Sequence, residues 1–232
     1  MKLKEIIDFL DERIPEKLAL DFDNVGIMGD HDLNLDITSI KILMDLWLED
    51  DNYGKDTLII THHPPLFSPK TPTYTIHSNW DIIDGGANEA LAESLDLDVV
   101  GYFDDETRIG RVCKSDYTFG QFKKHSLKDF ENVRIVNDLE DENEIRKIGI
   151  ISGFGLKNPD YIRLACKKDL DMLISGDLTQ ETAILAKNLD ITLIDLGHHE
   201  SEVPGLYSLK EFLEELGIDS EVIDKRPIEN LR

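Results

Sequence analysis

Cysteine is nearly absent: the 232 residues contain two, Cys113 and Cys166. They form no Cys-x-x-Cys pair and are too few for a disulfide framework. A reducing, cytoplasmic setting is therefore expected, with both residues as core thiols. Positive charge is scarce as well. Lys and Arg number 25 against 48 Asp and Glu, a formal net charge of −23. Affinity for a phosphate backbone needs concentrated Lys and Arg, so nucleic acid is not an expected partner. Docking on an anionic membrane surface is disfavoured for the same reason. No run approaches the about 18 consecutive apolar residues of a membrane span. The opening MKLKEIIDFLDERIPEK is too interrupted by acids to read as a signal peptide. There is no short-period repeat. Gly153-Phe154-Gly155 lacks the third glycine of a dinucleotide fingerprint, and Ser152 is not in a nucleophile-elbow context. A pocket for a small phosphorylated molecule stays compatible with all this, because net charge says nothing about one local site.

What the chain does have is an ordinary globular composition, 41% hydrophobic and 31% charged, and enough length for one large domain or two small ones. Leu3, Ile6, Ile7 and Leu10 recur at helical spacing up to Pro15. Strand-like runs are expected at 39–48, 56–61, 73–81 and 97–103, with a helix over 85–97. Residues 104–145, which include the charged run DLEDENE, have the least regular pattern and suggest a lobe boundary or insertion. From 146 onward, strands at 146–153, 171–177 and 191–197 alternate with helices at 158–168 and 179–189. An amphipathic helix from Leu206 and a short strand at 220–224 follow. This alternation predicts an α/β fold of two lobes with mainly parallel sheets. The expected lobes are 1–115 and 116–232, the C-terminal helix packing back on the first.

Ligands of open parallel α/β sheets bind beyond the carboxyl ends of the strands. Three polar clusters fall at such ends: Thr61-His62-His63-Pro64-Pro65, His77-Ser78-Asn79-Trp80-Asp81 and Gly197-His198-His199-Glu200-Ser201-Glu202. They hold five of the seven histidines. Imidazole with carboxylate suits Zn, Mn or Fe without thiolate. Adjacent side chains of an extended strand point opposite ways, so His62 and His63 could serve neighbouring ions only where the chain turns. His198 and Glu202, four apart, would share one face of a helical turn. Each cluster alone also fits a surface loop. Asp23 and Ser175-Gly176-Asp177 fit turns or a helix cap as readily as a cleft, and Asp45, after a strand-like run, fits either a place behind a metal ligand or the surface.

The same residues resemble the Nif-three-like family, whose members often carry the name GTP cyclohydrolase 1 type 2 homologue. LALDFDNVGIMGD, THHPPLF, HSNWD with GGANEALAESL, KIGIISGFG, DMLISGD and IDLGHHESEVPG match its segments in order over nearly the full length. Gly-His-x-x-x-Glu and the double histidine are the most specific. The resemblance implies two α/β lobes with a dinuclear metal centre in the cleft between them. By that resemblance His62, His63, Asp81, His198 and Glu202 are the ligands of two divalent ions (Zn, Fe, Mn or similar), with Asp81 and Glu202 as the shared carboxylates. His77 stands nearby as a proton carrier or extra ligand. It further implies a homohexameric ring and a short form without the domain inserted in longer members. The chain departs from the family in its Pro64-Pro65 doublet and in GDLTQETA, where a histidine is missing. Its short 45–56 segment also implies the loss of a helix.

The expected function is a hydrolase resembling GTP cyclohydrolase 1 type 2, using a metal-activated water on a nucleotide or phosphoester. The alternative is a non-catalytic metal-binding scaffold or adaptor that forms a ring.

Overall fold

The structure, a computed structural model, describes residues 1–228. In chain order the elements are α1 (Leu3–Arg13), β1 (Gly26–Met28), β2 (Ser39–Leu43), β3 (Thr57–Thr61), β4 (Thr73–Thr75), α2 (Ser78–Ile82), α3 (Ala87–Ser94), β5 (Asp98–Tyr102), β6 (Arg111–Lys114), α4 (Phe119–His125) and β7 (Arg134–Val136). They continue with β8 (Lys147–Ile150), α5 (Pro159–Lys167), β9 (Met172–Ser175), α6 (Gln180–Leu189), β10 (Thr192–Asp195), α7 (His198–Leu213) and β11 (Asp219–Ile223). They fall into two compact units, Met1–Ile83 with Leu206–Arg232, and Asp84–Gly205.

The first unit is built on a five-stranded sheet in the order β1-β4-β3-β2-β11. Three of its pairings are parallel, and β1 alone runs antiparallel, against β4. All five residues of β3 are buried, as expected of a strand flanked on both sides in a parallel sheet. Leu3, Ile6 and Leu10 of α1 are fully buried, each contributing about 1.5–3 kcal/mol of apolar burial. Between β2 and β3 the chain makes turns and no helix. The loop before β4 is tied down by Asp51, which accepts backbone N–H bonds from Lys70 and Thr71, both at 2.8 Å.

The second unit has a six-stranded sheet in the order β5-β6-β8-β9-β10-β7. It is mixed rather than mainly parallel. β8, β9 and β10 pair in parallel through the α5 and α6 crossovers, whereas β5, β6 and β7 pair antiparallel. The eight residues that join β5 to β6 are too few for a parallel crossover. Its core joins Leu91 of α3, Phe119 and Phe122 of α4, Ile148, Ile150, Met172, Ile174 and Ile194.

Four sequence expectations change here. The boundary expected at 115/116 falls inside the second sheet, because β5 and β6 pair with each other and β6 pairs with β8. The stretch 104–145 holds β6, α4 and β7. The run 73–81 is extended only through β4, since α2 takes up 78–82. The last helix starts at His198, eight residues before Leu206, and carries Pro204 inside it.

Candidate metal centre

Each unit gathers part of the histidine and carboxylate set at the C-terminal ends of its strands. In the first unit β3 ends at Thr61. The next two N–H groups continue onto the chain after β2, His62 to the Leu43 carbonyl and His63 to the Met44 carbonyl, both at 2.9 Å. Beyond them Pro64 and Pro65 end the pairing, and the bend brings both imidazoles to one side, their ring centroids 5.1 Å apart. The neighbouring strand delivers His77. Thr61 and Thr75 join hydroxyls at 2.8 Å, and His77 lies two residues past Thr75 at the N-cap of α2. Its ring centroid is 5.0 Å from that of His62 and 5.3 Å from that of His63. One nitrogen of each of the three rings lies within 4.8 Å of the others. Asp81 follows on α2, four residues after His77, buried and 3.8 Å from His62 Nε2.

In the second unit β10 leads through Gly197 into α7. His198 and Glu202 share one helical face, Nε2 to Oε1 3.2 Å. Glu202 is 3% exposed. A Cβ on Gly153 would stand 2.1 Å from Glu202 Oε1, and Gly153 has φ +75°. The glycine thus supplies both a left-handed turn and room for the carboxylate. Ser201 locks the approach: its hydroxyl accepts the Gly153 N–H at 2.9 Å and donates to the His198 carbonyl at 2.8 Å. Gly176 is equally confined, since a Cβ there would meet the His198 backbone nitrogen at 2.5 Å. His199 is buried but belongs to no donor cluster among the described residues.

Three carboxylates orient the rings. A carboxylate can only accept, so Nδ1–H donates in each case. His63 Nδ1 lies 2.9 Å from Asp45 Oδ1, His77 Nδ1 3.0 Å from Asp23 Oδ1, and His198 Nδ1 3.1 Å from Asp177 Oδ2. Asp23 is held in turn by the Ser78 hydroxyl. This arrangement fixes each ring through Nδ1, leaves Nε2 as the atom for the donor role and raises ring basicity, as carboxylate partners of metal-bound histidines do. Asp23 and Asp177 are the residues whose part local sequence pattern missed, whereas Asp45 takes one of the two places its sequence position leaves open, behind His63.

One histidine of each group is shifted, in opposite directions. Burial pushes His77 down to about 4, and the neighbouring His62 and His63 add to this against the opposing Asp23. Burial acts the same way on His198. There, hydrogen bonds to Asp177 and Glu202, together with their charges, outweigh it and raise the imidazole to about 10. The hydrogen bond from His198 also leads the causes that hold Asp177 below its usual range, ahead of the Lys157 ammonium. The nitrogen and oxygen donors, the ring-orienting carboxylates and the glycine cradle at Glu202 all fit a divalent transition ion.

Comparison with known proteins gives one family. The model of Duf34/NIF3 (NGG1p interacting factor 3) matches residues 1–73 and 70–227. A GTP cyclohydrolase 1 type 2 homolog of Methanothermobacter thermautotrophicus is 37% identical, over 97% of this chain and 93% of that protein. A protein of the same name from Methanocaldococcus jannaschii is 32% identical, covering 96% and 98%. The structure of reduced HcgD from Methanocaldococcus jannaschii matches with a TM-score of 0.83 at 31% identity, over 97% of each chain. Staphylococcus aureus protein SA1388 shares the fold, with a TM-score of 0.80 at 23% identity. With the family model matching nearly the whole chain and a relative 37% identical over 97% of it, the chain belongs to the Duf34/NIF3 family.

Proposed function

We propose that the chain is a metal-dependent hydrolase in which His62, His63, Asp81, His198 and Glu202 hold two divalent ions, Zn, Fe or Mn. The observation that carries this reading is that two of the proposed ligands, His63 and His198, are fixed through Nδ1 by carboxylates, which directs their Nε2 atoms to the donor role, as His77 is fixed beside them. Relatives named GTP cyclohydrolase 1 type 2 homolog support a small nucleotide or phosphoester as substrate. Bound divalent ions would lower the pKa of a water and stabilise charge developing on the substrate. The protein's own part is positional. Asp45 and Asp177 hold the rings of His63 and His198, Gly153 leaves room for the Glu202 carboxylate, and His77, held by Asp23, carries a proton. Two dications on two carboxylates and neutral imidazoles leave the site net positive, so an anionic substrate can enter an otherwise acidic chain.

The test is metal content with turnover. Purified protein loaded with zinc or manganese is expected to hold two ions per chain, and His63→Ala to hold fewer. Unchanged content in that variant overturns the ligand set. Release of formate from GTP identifies cyclohydrolase chemistry, and release of phosphate a phosphoesterase. A metal-loaded protein with no turnover over a broad panel of nucleotides and phosphoesters would favour the scaffold reading. A hexameric ring is part of the proposal, and light scattering at a mass of six chains is its check.

A further inference from the structure

Asp177 Oδ2 does not serve His198 alone. Lys157 Nζ lies 3.3 Å from the same oxygen that accepts His198 Nδ1 at 3.1 Å. The lysine is 53% exposed and also sits over the Phe154 ring, 5.5 Å from its centroid. Its backbone is fixed there. Gly155 N–H donates to the Ser175 hydroxyl at 2.9 Å, Leu156 N–H to the Gly176 carbonyl at 3.0 Å, and Gly176 N–H to the Gly153 carbonyl at 2.8 Å. These bonds clamp the turn bearing Lys157 onto the turn bearing Asp177. Asp177 itself adopts φ +62°, a left-handed conformation uncommon outside glycine, and one that is retained when surrounding structure holds it.

We propose that Lys157 is a positioning residue that weakens the hold of His198 on a divalent ion by sharing the Asp177 oxygen. This deepens the metal-site reading above and rests on it. A carboxylate on Nδ1 makes Nε2 a better donor. An ammonium on the same oxygen withdraws part of that effect, leaving the ion at His198 exchangeable.

Zinc affinity measured by chelator competition on the full chain, with cobalt absorption as a spectroscopic readout, tests this. With proton competition at His198 taken out by a pH series, Lys157→Met is expected to bind zinc roughly 2- to 5-fold more tightly and to shift the cobalt spectrum. That is less than the effect of removing a carboxylate partner, because the lysine is half-exposed. Lys157→Arg is expected to restore wild-type affinity. In an Asp177→Asn background, itself about 10- to 100-fold weaker, Lys157→Met is expected to change nothing further. Unchanged or weaker proton-corrected zinc binding in Lys157→Met overturns the proposal. Equal tightening in the Asp177→Asn background overturns it too, because the lysine would then act through space. If the wild-type chain binds no zinc, the metal-site reading itself falls, and that result is distinct from the other two.

Discussion

One histidine in each unit is strongly shifted, and the two shifts run in opposite directions. In the first, three imidazoles crowd one another, burial and mutual repulsion dominate, and His77 is pushed down to about 4. In the second, one imidazole lies between two carboxylates and is raised to about 10. Without metal, His77 is therefore a neutral donor ready to bind. His198 sits in a closed ion pair whose proton must leave before Nε2 can take an ion. The same residue types thus yield a receptive half and a self-capped half, and the difference comes from the count of acids around each ring.

Removing Glu202 has the largest expected effect on this contrast. Glu202→Gln takes away a proposed ligand and one partner of the charged His198. The variant is expected to retain one zinc per chain instead of two. It should also lose about 1.5–3 kcal/mol of metal-free stability at pH 7, the range for a hydrogen bond to a charged group. Metal analysis and urea unfolding check both. Two retained ions would remove Glu202 from the ligand set. Next comes Gly153→Ala. The added Cβ collides with the Glu202 carboxylate, and the position has positive φ. Expected are a loss of about 1–3 kcal/mol and the same zinc defect as Glu202→Gln. A destabilised variant that still binds two ions would show that the cradle serves folding alone.

The pH dependence of the metal-free chain separates the two units by sign. His77 lies at about 4 in the folded state, below the usual imidazole value of about 6.5. The folded chain therefore binds fewer protons than the unfolded chain between those values. Its contribution to stability is whole above about 6.5 and is lost as pH falls toward 4. His198 lies at about 10, so its contribution is whole below about 6.5 and is lost as pH rises through 10. His77→Gln should flatten the acid limb, and His198→Gln the alkaline limb. Imidazole NMR titration assigns each group directly. Zinc binding should release a proton from His198, read as a dependence of calorimetric heat on buffer ionisation enthalpy, and should weaken as pH falls.

Much of this arrangement was legible in the sequence, where a local rule applied. Pro64 and Pro65 end an apolar run and so place His62 and His63 at a strand end. The four-residue spacing of His198 and Glu202 needs only one helical turn. The strand–helix alternation after 146 is seen as expected, and so is the missing helix between β2 and β3. What escaped, which aspartate meets which histidine, depends on which strands become neighbours. Asp45 is 18 residues from His63, Asp177 21 from His198, and Asp23 54 from His77. No periodicity links them, because each pairing is made by sheet order. An aspartate at a turn looks the same whether it caps a helix or orients an imidazole. The domain boundary failed for the same reason: β5 and β6 read as elements of the preceding segment until their partner β8 is known. The irregular pattern of 104–145 reflects short antiparallel strands, three or four residues each, too short for alternation to register.

The smallest expected effect bears on His77, which the ligand set leaves out although its nitrogen clusters with those of His62 and His63. Asp23 accepts from His77 Nδ1 and from the Ser78 hydroxyl. Asp23→Asn preserves shape and the tolerance for the turn but removes the charge. If His77 carries protons and is not a ligand, zinc affinity should stay within about threefold of wild type. Asp45→Asn, acting on the proposed ligand His63, should weaken it by about 10- to 100-fold. Asp23 opposes the downward push on His77, so the variant should lower its titration point further. With loaded protein and a turned-over substrate, the acid limb of the pH–rate profile should move with it while zinc content does not. Equal losses of zinc in Asp23→Asn and Asp45→Asn would make His77 a ligand, and the receptive half a three-imidazole site.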